Sequence, residues 1–388
     1  MIDISDKKIA FFQGAGRSGL ELLTSLLDDN KEVLCFPFTL KFSYIWKKYN
    51  LNLEKDKENI LNTFLTNSKI NRFSPNNYKH SYQEVDWKIF KNSFKEYLEN
   101  HSISFKNTLL AIFYSYACSI NKNLSQIKVL IGDCYYHEDH VNDYLKHFPK
   151  ANFIRIIRDH RSNIQSLSKH LLFYRKTMHP LFTNYRSLPY HILKEIMLGS
   201  TIMWTRHEKY LGDKLKIIKY ENLLNQTKKT MLNFSEWLEI KFDDNLLRTT
   251  RYGKTYFTFS KTQNKEITGT NDTANDKWIS NLNRFHILAI EYLFSKNLKK
   301  YDYELIFEES KINKLKGLIC CALPWKGEFI PSFEIFKNEE KYNGIKNNLI
   351  YKYLKFIFFI LCNMYGYLES RSKLYLSIIK GEFNQDVI

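Results

Sequence analysis

The sequence predicts an α/β protein: a three-layer domain around a central, mainly parallel sheet, with a helical cap insertion and a C-terminal helical extension. Three observations carry that prediction. Residues 8–36 read as strand, glycine-rich loop, helix and second strand, and residues 127–170 run strand, helix, strand, helix. Alternating strands and helices mark a parallel sheet with helices on its faces. The 388 residues, 44% of them hydrophobic and 16% aromatic, supply a core large enough for one domain and an appendage.

In chain order, Lys8–Gln13 (KIAFFQ) is a short, Phe- and Ile-rich run that reads as a buried strand. Gly14-Ala15-Gly16-Arg17-Ser18-Gly19 follows at once, and Leu22, Leu23, Leu26 and Leu27 then recur at helical spacing. A strand, a glycine loop and a helix start aim unpaired backbone N–H groups and the positive end of a helix dipole at one spot, where an anion such as a phosphate belongs. This loop makes the domain P-loop-like. The residue types separate three kinds of site. Gly14, Gly16 and Gly19 match the dinucleotide pattern, but the next strand ends in Phe36-Pro37-Phe38 without the carboxylate that would hold a ribose hydroxyl. Gly14 and Gly19 also match the spacing of a nucleotide kinase loop, yet Leu20 and Glu21 replace its lysine and its magnesium-binding hydroxyl. The third kind carries its cation inside the loop, as Arg17 does, followed by Ser18-Gly19, and uses no metal.

Residues 39–121 contain no glycine and read as mainly helical, with aromatic residues at Phe42, Tyr44, Trp46 and Tyr49 and helical periodicity over 85–97 and 105–120. An insertion at this point of an open α/β domain covers the ligand crevice or simply packs as helices. Ile127–Ile131 is a short apolar strand leading to Gly132-Asp133-Cys134-Tyr135-Tyr136-His137; Val141–Phe148 is helical; Phe153–Ile157 is a strand. Arg158 stands at the carboxyl end of that strand, the ligand edge of a parallel sheet. Ser166 lies two turns into the following helix. A guanidinium and a hydroxyl so placed grip a second phosphate; the competing expectation is an ion pair between Arg158 and Asp159.

The net charge of +17 would draw in nucleotides, acidic glycans or anionic lipid. Lysine outnumbers arginine, and the chain has no arginine-rich tract, zinc-ligand spacing or RNA-binding signature, so no nucleic-acid partner is expected. The six cysteines lack any C-x-x-C, which leaves no metal or disulfide framework to read; Cys35 and Cys118 are expected as core thiols. MIDISDKK is no signal peptide, so a cytoplasmic setting is expected.

Residues 8–36 and 127–170 together resemble the PAPS-dependent sulfotransferases (PAPS is 3'-phosphoadenosine 5'-phosphosulfate). GAGRSGLELLTSLLDDNKEV resembles the family's 5'-phosphosulfate loop, G-x-x-[RK]-S-G-T-T. IRIIRDHRSNIQS resembles its 3'-phosphate segment, R-D-P-R…S, with the same Arg-to-Ser spacing. KIIKYENLL at 216–224 and Trp278 with the helical run Phe285–Tyr303 are similar to two further blocks, so the resemblance spans about residues 8–305. Arg17 places the chain nearer the tyrosylprotein and bacterial carbohydrate branches. The resemblance implies PAPS as co-substrate, without a metal, bound by Gly14, Gly16, Arg17, Ser18, Gly19 and Leu20 at the 5' end and by Arg158 and Ser166 at the 3'-phosphate. Tyr220 would lie near the adenine, and Lys261, with Lys254 and Lys265, would sit in a closing loop.

The implied reaction is in-line transfer of a sulfuryl group to an acceptor hydroxyl or amine, on a carbohydrate or lipid-linked glycan. It needs a base for the acceptor proton, cations and N–H groups at the leaving phosphate, and alignment of the two partners. Arg17, Ser18 and the backbone of Gly19 and Leu20 take the second role. His137 is the expected base, with an ordinary pKa suited to the task; Asp133, Glu21 and His140 are its rivals. Leu20-Glu21 stands where the family has Thr-Thr, Cys134 where it has lysine, and His160 where it has proline. Glu21 suits the helix dipole but repels an anionic donor unless it turns away. These departures keep open a nucleotide-binding protein of the same fold with lost or altered catalysis.

Residues 186–210 read as one long helix, and 251–277 as a threonine-rich loop of the length reserved for function or disorder. The domain is expected over 1–308, with 39–121 as its cap, and a basic, aromatic helical extension over 309–388. Leu349–Cys362 is strongly apolar but too short and too lysine-punctuated to span a bilayer. Residues 340–388 are expected either to lie on the inner face of an anionic membrane or to bury Phe356, Phe358 and Phe359 in a helical subdomain or dimer contact. A basic membrane- or polyanion-binding protein without a nucleotide is the third functional expectation.

Overall fold

The computed structural model describes residues 2–36, 40–67, 85–133, 138–177, 203–251, 254–255, 258–260, 265–267, 277–324 and 349–383. These residues group into two compact units: Met1–Gly14, Ser18–Ile157 and His207–Asp272 form the first, and Ala15–Arg17, Arg158–Arg206 and Thr273–Ile388 the second.

The first unit is built on β1 (Lys8–Gln13), which is buried from Ile9 onward. Helix α1 (Leu20–Leu27) follows the loop and leads to β2 (Val33–Cys35). Four helices then follow: α2 (Phe42–Lys48), α3 (Lys57–Asn67), α4 (Trp87–Asn100) and α5 (Phe105–Ser119). The last two begin where the Asp86 and Ser104 side chains accept from the Ile89 and Asn107 N–H groups, satisfying otherwise orphaned donors. After β3 (Val129–Asp133), α6 (Glu138–His147) and β4 (Asn152–Ile157), the chain passes through α7 (His160–Thr177) and α8 (Met203–Leu211) to β5 (Leu215–Lys219). Then come α9 (Tyr220–Asn225) and α10 (Thr227–Leu238).

The sheet order is β2-β3-β1-β4-β5, every neighbouring pair parallel. The chain moves to one side of β1 for β2 and β3 and to the other for β4 and β5. The crevice of such a sheet therefore opens at the carboxyl ends of β1 and β4, where the strand order reverses. Alternate residues of β1 serve two cores. Phe11 joins Leu130, Phe153 and the aromatics of α2–α5, with Phe42 stacked on Phe64 at 4.8 Å and Phe105 edge-on to Phe42 at 4.9 Å. Phe12 joins Leu23, Leu26, Ile131, Ile154, Ile218, Met231 and Phe234 on the opposite face. Helices, sheet and helices make the three expected layers.

Three local readings shift. The third strand runs two residues later than its apolar stretch, because pairing to both β1 and β2 begins at Val129 and continues to Asp133 opposite Phe12. Cys118 is half-buried and packs against the edge of the core. Within 251–277, described residues form short antiparallel pairs, β6 (Thr250–Arg251) with β7 (Lys254–Thr255) and β8 (Thr258–Ser260) with β9 (Lys265–Ile267). Threonine and aromatic residues favour strand over coil. Of the helix expected over 186–210, residues 186–202 lie outside the described residues.

The second unit holds α7, α11 (Lys277–Asn281), α12 (Arg284–Lys300), α13 (Lys311–Cys320) and α14 (Leu349–Ile379). Its core joins Ile164 and Leu167 of α7 to Leu288, Leu293, Phe294 and Leu298 of α12, and to Cys320, Cys321 and Leu374. Helices α13 and α14 share this core with α7 and α12.

Candidate active site

The loop after β1 takes its shape from two left-handed residues, Arg17 at φ 67° and Gly19 at φ 110°. In the first unit, Gly19 leads into α1, and the Leu22 and Leu23 N–H groups donate back to its carbonyl. No side chain caps this helix end. Its first N–H groups and the dipole therefore face whatever sits over the loop. A methyl on Gly19 would drive into the Tyr220 ring, and one on Gly14 would come within 2.7 Å of the Ser18 hydroxyl. Glycine is thus required at Gly19 by close approach and by backbone conformation, while at Gly14 a methyl would displace the Ser18 hydroxyl. Tyr220, at the start of α9, packs against the loop glycine. Ser18 is 1% exposed and its hydroxyl has no partner among the described residues. A buried hydroxyl without a partner is costly and fits a site made to receive an acceptor oxygen. Glu21 is exposed, so its carboxylate turns away from the buried side of the loop.

In the second unit the other half of the loop meets the segment after β4. Arg17 Nε donates to Ser166 Oγ at 3.3 Å, across 149 residues of sequence. Arg158 Nη1 donates to the Arg17 carbonyl at 3.1 Å, and Asn163 Nδ2 to the Gly16 carbonyl at 3.1 Å. The two blocks that stand apart in the sequence therefore form one cluster, with two guanidiniums and a hydroxyl together. Asn163 is a member that sequence reasoning missed; its signal was its place between Arg158 and Ser166, on the turn that faces the loop.

Beneath the cluster lies a second group that sequence reasoning also missed. The guanidinium that grips Asp159 is that of Arg161, which donates from Nε at 3.0 Å and from Nη2 at 2.7 Å. Arg161 Nη1 also donates to Glu291 at 2.6 Å, and its guanidinium lies 4.3 Å from the centre of the Trp278 ring. Glu291 accepts the Ile306 and Phe307 N–H groups at 2.9 and 3.0 Å. Burial disfavours the Arg161 charge, but the Asp159 hydrogen bonds and the two carboxylates outweigh it, and the pKa rises. His160, beside it, is buried edge-on to Phe294 at 4.6 Å, and burial lowers its pKa to about 4. It stays neutral near pH 7. In the first unit, fully buried Arg155 of β4 donates to Gln13 Oε1 at 2.9 Å and to Glu208 at 3.2 Å, fixing the residue from which the loop departs.

Asp133 ends β3 opposite Phe12, at the carboxyl edge of the sheet. His137 and Lys261 lie outside the described residues. Lys254 is exposed on β7, and Lys265 begins β9.

A sequence model described as the Sulfotransferase family matches residues 10–244, more than half of the chain. The chain belongs to the sulfotransferase family. The matched stretch includes the loop, the Arg158–Ser166 segment and Tyr220. No curated protein matches the chain in sequence. Among solved structures, this sulfotransferase-family chain is similar to the sulfotransferase domain of the curacin biosynthetic pathway. That match has 13% identity and a TM-score of 0.47, over 77% of this chain and 99% of that one. It is also similar to the sulfotransferase domain of the Synechococcus PCC 7002 olefin synthase, at 14% identity and TM-score 0.40 over 84% and 99%. A third likeness is to sulfotransferase STF9 from Mycobacterium avium, at 13% identity and TM-score 0.41 over 79% of each chain.

Proposed function

We propose that this protein moves a sulfuryl group from PAPS to a hydroxyl or amine of a carbohydrate or lipid-linked glycan. The observation that carries the donor half is the convergence of Arg17, Arg158 and Ser166, joined by hydrogen bonds across 141 and 149 residues of sequence. PAPS, when bound, supplies the sulfuryl group and a bisphosphate leaving group. Arg158 and Ser166 hold the 3'-phosphate. Arg17, Ser18 and the N–H groups of Gly19 and Leu20 hold the 5' end and stabilise the charge that develops there as the bond breaks. The unpartnered, buried Ser18 hydroxyl fits this assignment. Tyr220, which packs against Gly19, is assigned the adenine side. His137 is the proposed base, with Asp133 its nearest rival. The acceptor class rests on the resemblance of the Arg17 loop to the carbohydrate branch.

Calorimetric titration with 3',5'-bisphosphoadenosine tests the donor half. The expected result is micromolar binding by the wild type that Arg17→Ala and Arg158→Ala each weaken by about tenfold or more, since a charge-assisted hydrogen bond contributes about 1.5–3 kcal/mol. Absence of binding by the wild type overturns the proposal. Leu20-Glu21 in place of two hydroxyls favours one second reading, a protein that binds the nucleotide but performs altered chemistry. Binding without sulfuryl transfer to any glycan in an acceptor screen would select it.

A further inference from the structure

The second unit exposes apolar surface where a helix normally hides it. On α13, Gly317 and Cys320 face inward; a methyl on Gly317 would meet the Leu288 carbonyl at 3.1 Å. Ile312, Leu315 and Ile319, spaced as one stripe, are instead 65%, 59% and 58% exposed, and Leu323 continues the stripe. Lys311, Lys314 and Lys316 are exposed alongside it, and the helix contains no carboxylate. Of the two glutamates just before it, Glu309 is paired with Lys299 at 2.6 Å and Glu308 is exposed.

Helix α14 repeats the pattern. Tyr367, Arg371 and Tyr375 turn one face toward the end of α13. Tyr375 donates to the Leu318 carbonyl at 2.9 Å, Arg371 Nη2 to that of Leu323 at 2.7 Å, and Tyr367 to that of Ala322. Nearer the start of α14, Leu354, Ile357, Leu361 and Met364, before those contacts begin, and Leu368 beside them recur every three or four residues and are all exposed. Exposed apolar stripes such as these, flanked on α13 by three lysines, mark an interaction site.

We infer that the α13–α14 face docks on an anionic lipid bilayer, with the apolar stripes in the headgroup–acyl boundary and the lysines on the lipid phosphates. Among the described residues no helix is long and apolar enough to cross a membrane, so the helices lie in the interface plane. Charge complementarity selects this occupant. A second copy docked on α13 would set its three lysines against three more, whereas an anionic surface neutralises them. The inference does not depend on the donor chemistry.

The test is co-sedimentation of the full chain with vesicles of phosphatidylcholine alone and of phosphatidylcholine containing a quarter phosphatidylglycerol. The wild type is expected to bind the anionic vesicles at least about tenfold more tightly, with binding weakened by salt. The triple variant Lys311→Gln/Lys314→Gln/Lys316→Gln is expected to lose about a hundredfold, at about fivefold per lysine. Ile312→Asn/Leu315→Asn/Ile319→Asn is expected to lose binding while retaining the wild-type circular dichroism, since all three side chains are exposed. Arg17→Ala is expected to bind vesicles as the wild type does, which separates this inference from the sulfuryl-transfer reading. Equal binding to neutral vesicles, or undiminished binding by the apolar variant, overturns the inference. So does a wild-type dimer that the apolar variant dissociates without any vesicle binding, which would make a second copy the occupant. A monomer that ignores vesicles also overturns it, and would assign the stripe to another segment of this chain.

Discussion

Glu291 is the group through which the second unit's ion network is most open to test. Its carboxylate accepts the Arg161 guanidinium at 2.6 Å and the Ile306 and Phe307 N–H groups at 2.9 and 3.0 Å, with its side chain 4% exposed. Glu291→Leu removes all three acceptances at nearly constant volume. Two backbone donors, on exposed Ile306 and half-buried Phe307, then lose their acceptor, at about 1 kcal/mol each because water can replace it, and Arg161 keeps Asp159 alone. Breaking one partner out of a buried ion pair costs about 3–5 kcal/mol, and the shared burial makes that figure, rather than the sum, the expected loss. Glu291→Gln keeps one acceptor oxygen and loses the charge, so about 1–2 kcal/mol is expected. The assay is urea unfolding followed by tryptophan fluorescence. Trp278, stacked 4.3 Å from Arg161, reports the network, and Trp278→Phe supplies the background. Replacing Asp159, Arg161 and Glu291 together with Leu, Met and Leu is expected to recover part of the Glu291→Leu loss, because no lone charge remains. Leu and Gln variants of equal stability, both within about 0.5 kcal/mol of wild type, would refute the reasoning.

Gly19→Ala places a methyl against Tyr220 at φ 110°. It is expected to cost about 2 kcal/mol or more in unfolding free energy, only part of which Tyr220→Ala restores, because the backbone strain of about 1–2 kcal/mol remains. His160 has its pKa lowered to about 4 by burial, against an ordinary value of about 6.5. The unfolded chain therefore takes up a proton first as pH falls. Stability present above about pH 6.5 is lost between there and about pH 4, by about 3 kcal/mol in all, and His160→Gln is expected to flatten that part of a urea-midpoint pH profile. His137→Ala is expected to lower sulfuryl-transfer turnover by about a hundredfold or more with bisphosphoadenosine binding intact; unchanged turnover would remove it from the mechanism.

The strands and the loop were legible because their signals are local. KIAFFQ ends at the same residues in sequence and structure, and helical spacing marked α1 and α5. The features that were not legible depend on which strands pair and which charges meet. The third strand's limits are set by its two neighbours, not by its own apolar run. Asp159 and Arg161 lie two residues apart, a spacing with no helical or strand meaning, and their link to Glu291 spans 130 residues. Arg155 reads as a surface-like residue within an apolar strand, yet it is fully buried because Gln13 and Glu208 arrive from distant segments to satisfy it. The exposed stripe of α13 was hidden for the opposite reason: Ile312, Leu315 and Ile319 have the spacing of a core face, and only the structure shows that Gly317 and Cys320 point inward instead.

The departures at Leu20 and Glu21 gain a physical meaning from the loop geometry. Two hydroxyls at those positions would add donors at the helix end, but the backbone donors there do not depend on side-chain identity. Arg17 and Ser18 precede the substitutions, and the left-handed conformations of Arg17 and Gly19 set the path of the loop whichever side chains stand at positions 20 and 21. Glu21 is exposed, so its charge is screened by solvent rather than opposed directly to the anion site. The grip thus shifts from hydroxyls toward guanidinium and main chain. On the proposed donor assignment, electrostatic attraction would be concentrated in Arg17 and Arg158, with the hydroxyls of Ser18 and Ser166 as neutral partners. Conservative Arg17→Lys replacement would keep the charge but lose the Nε donor that reaches Ser166. In this loop, more than in one with the two extra hydroxyls, arginine and lysine are expected to differ.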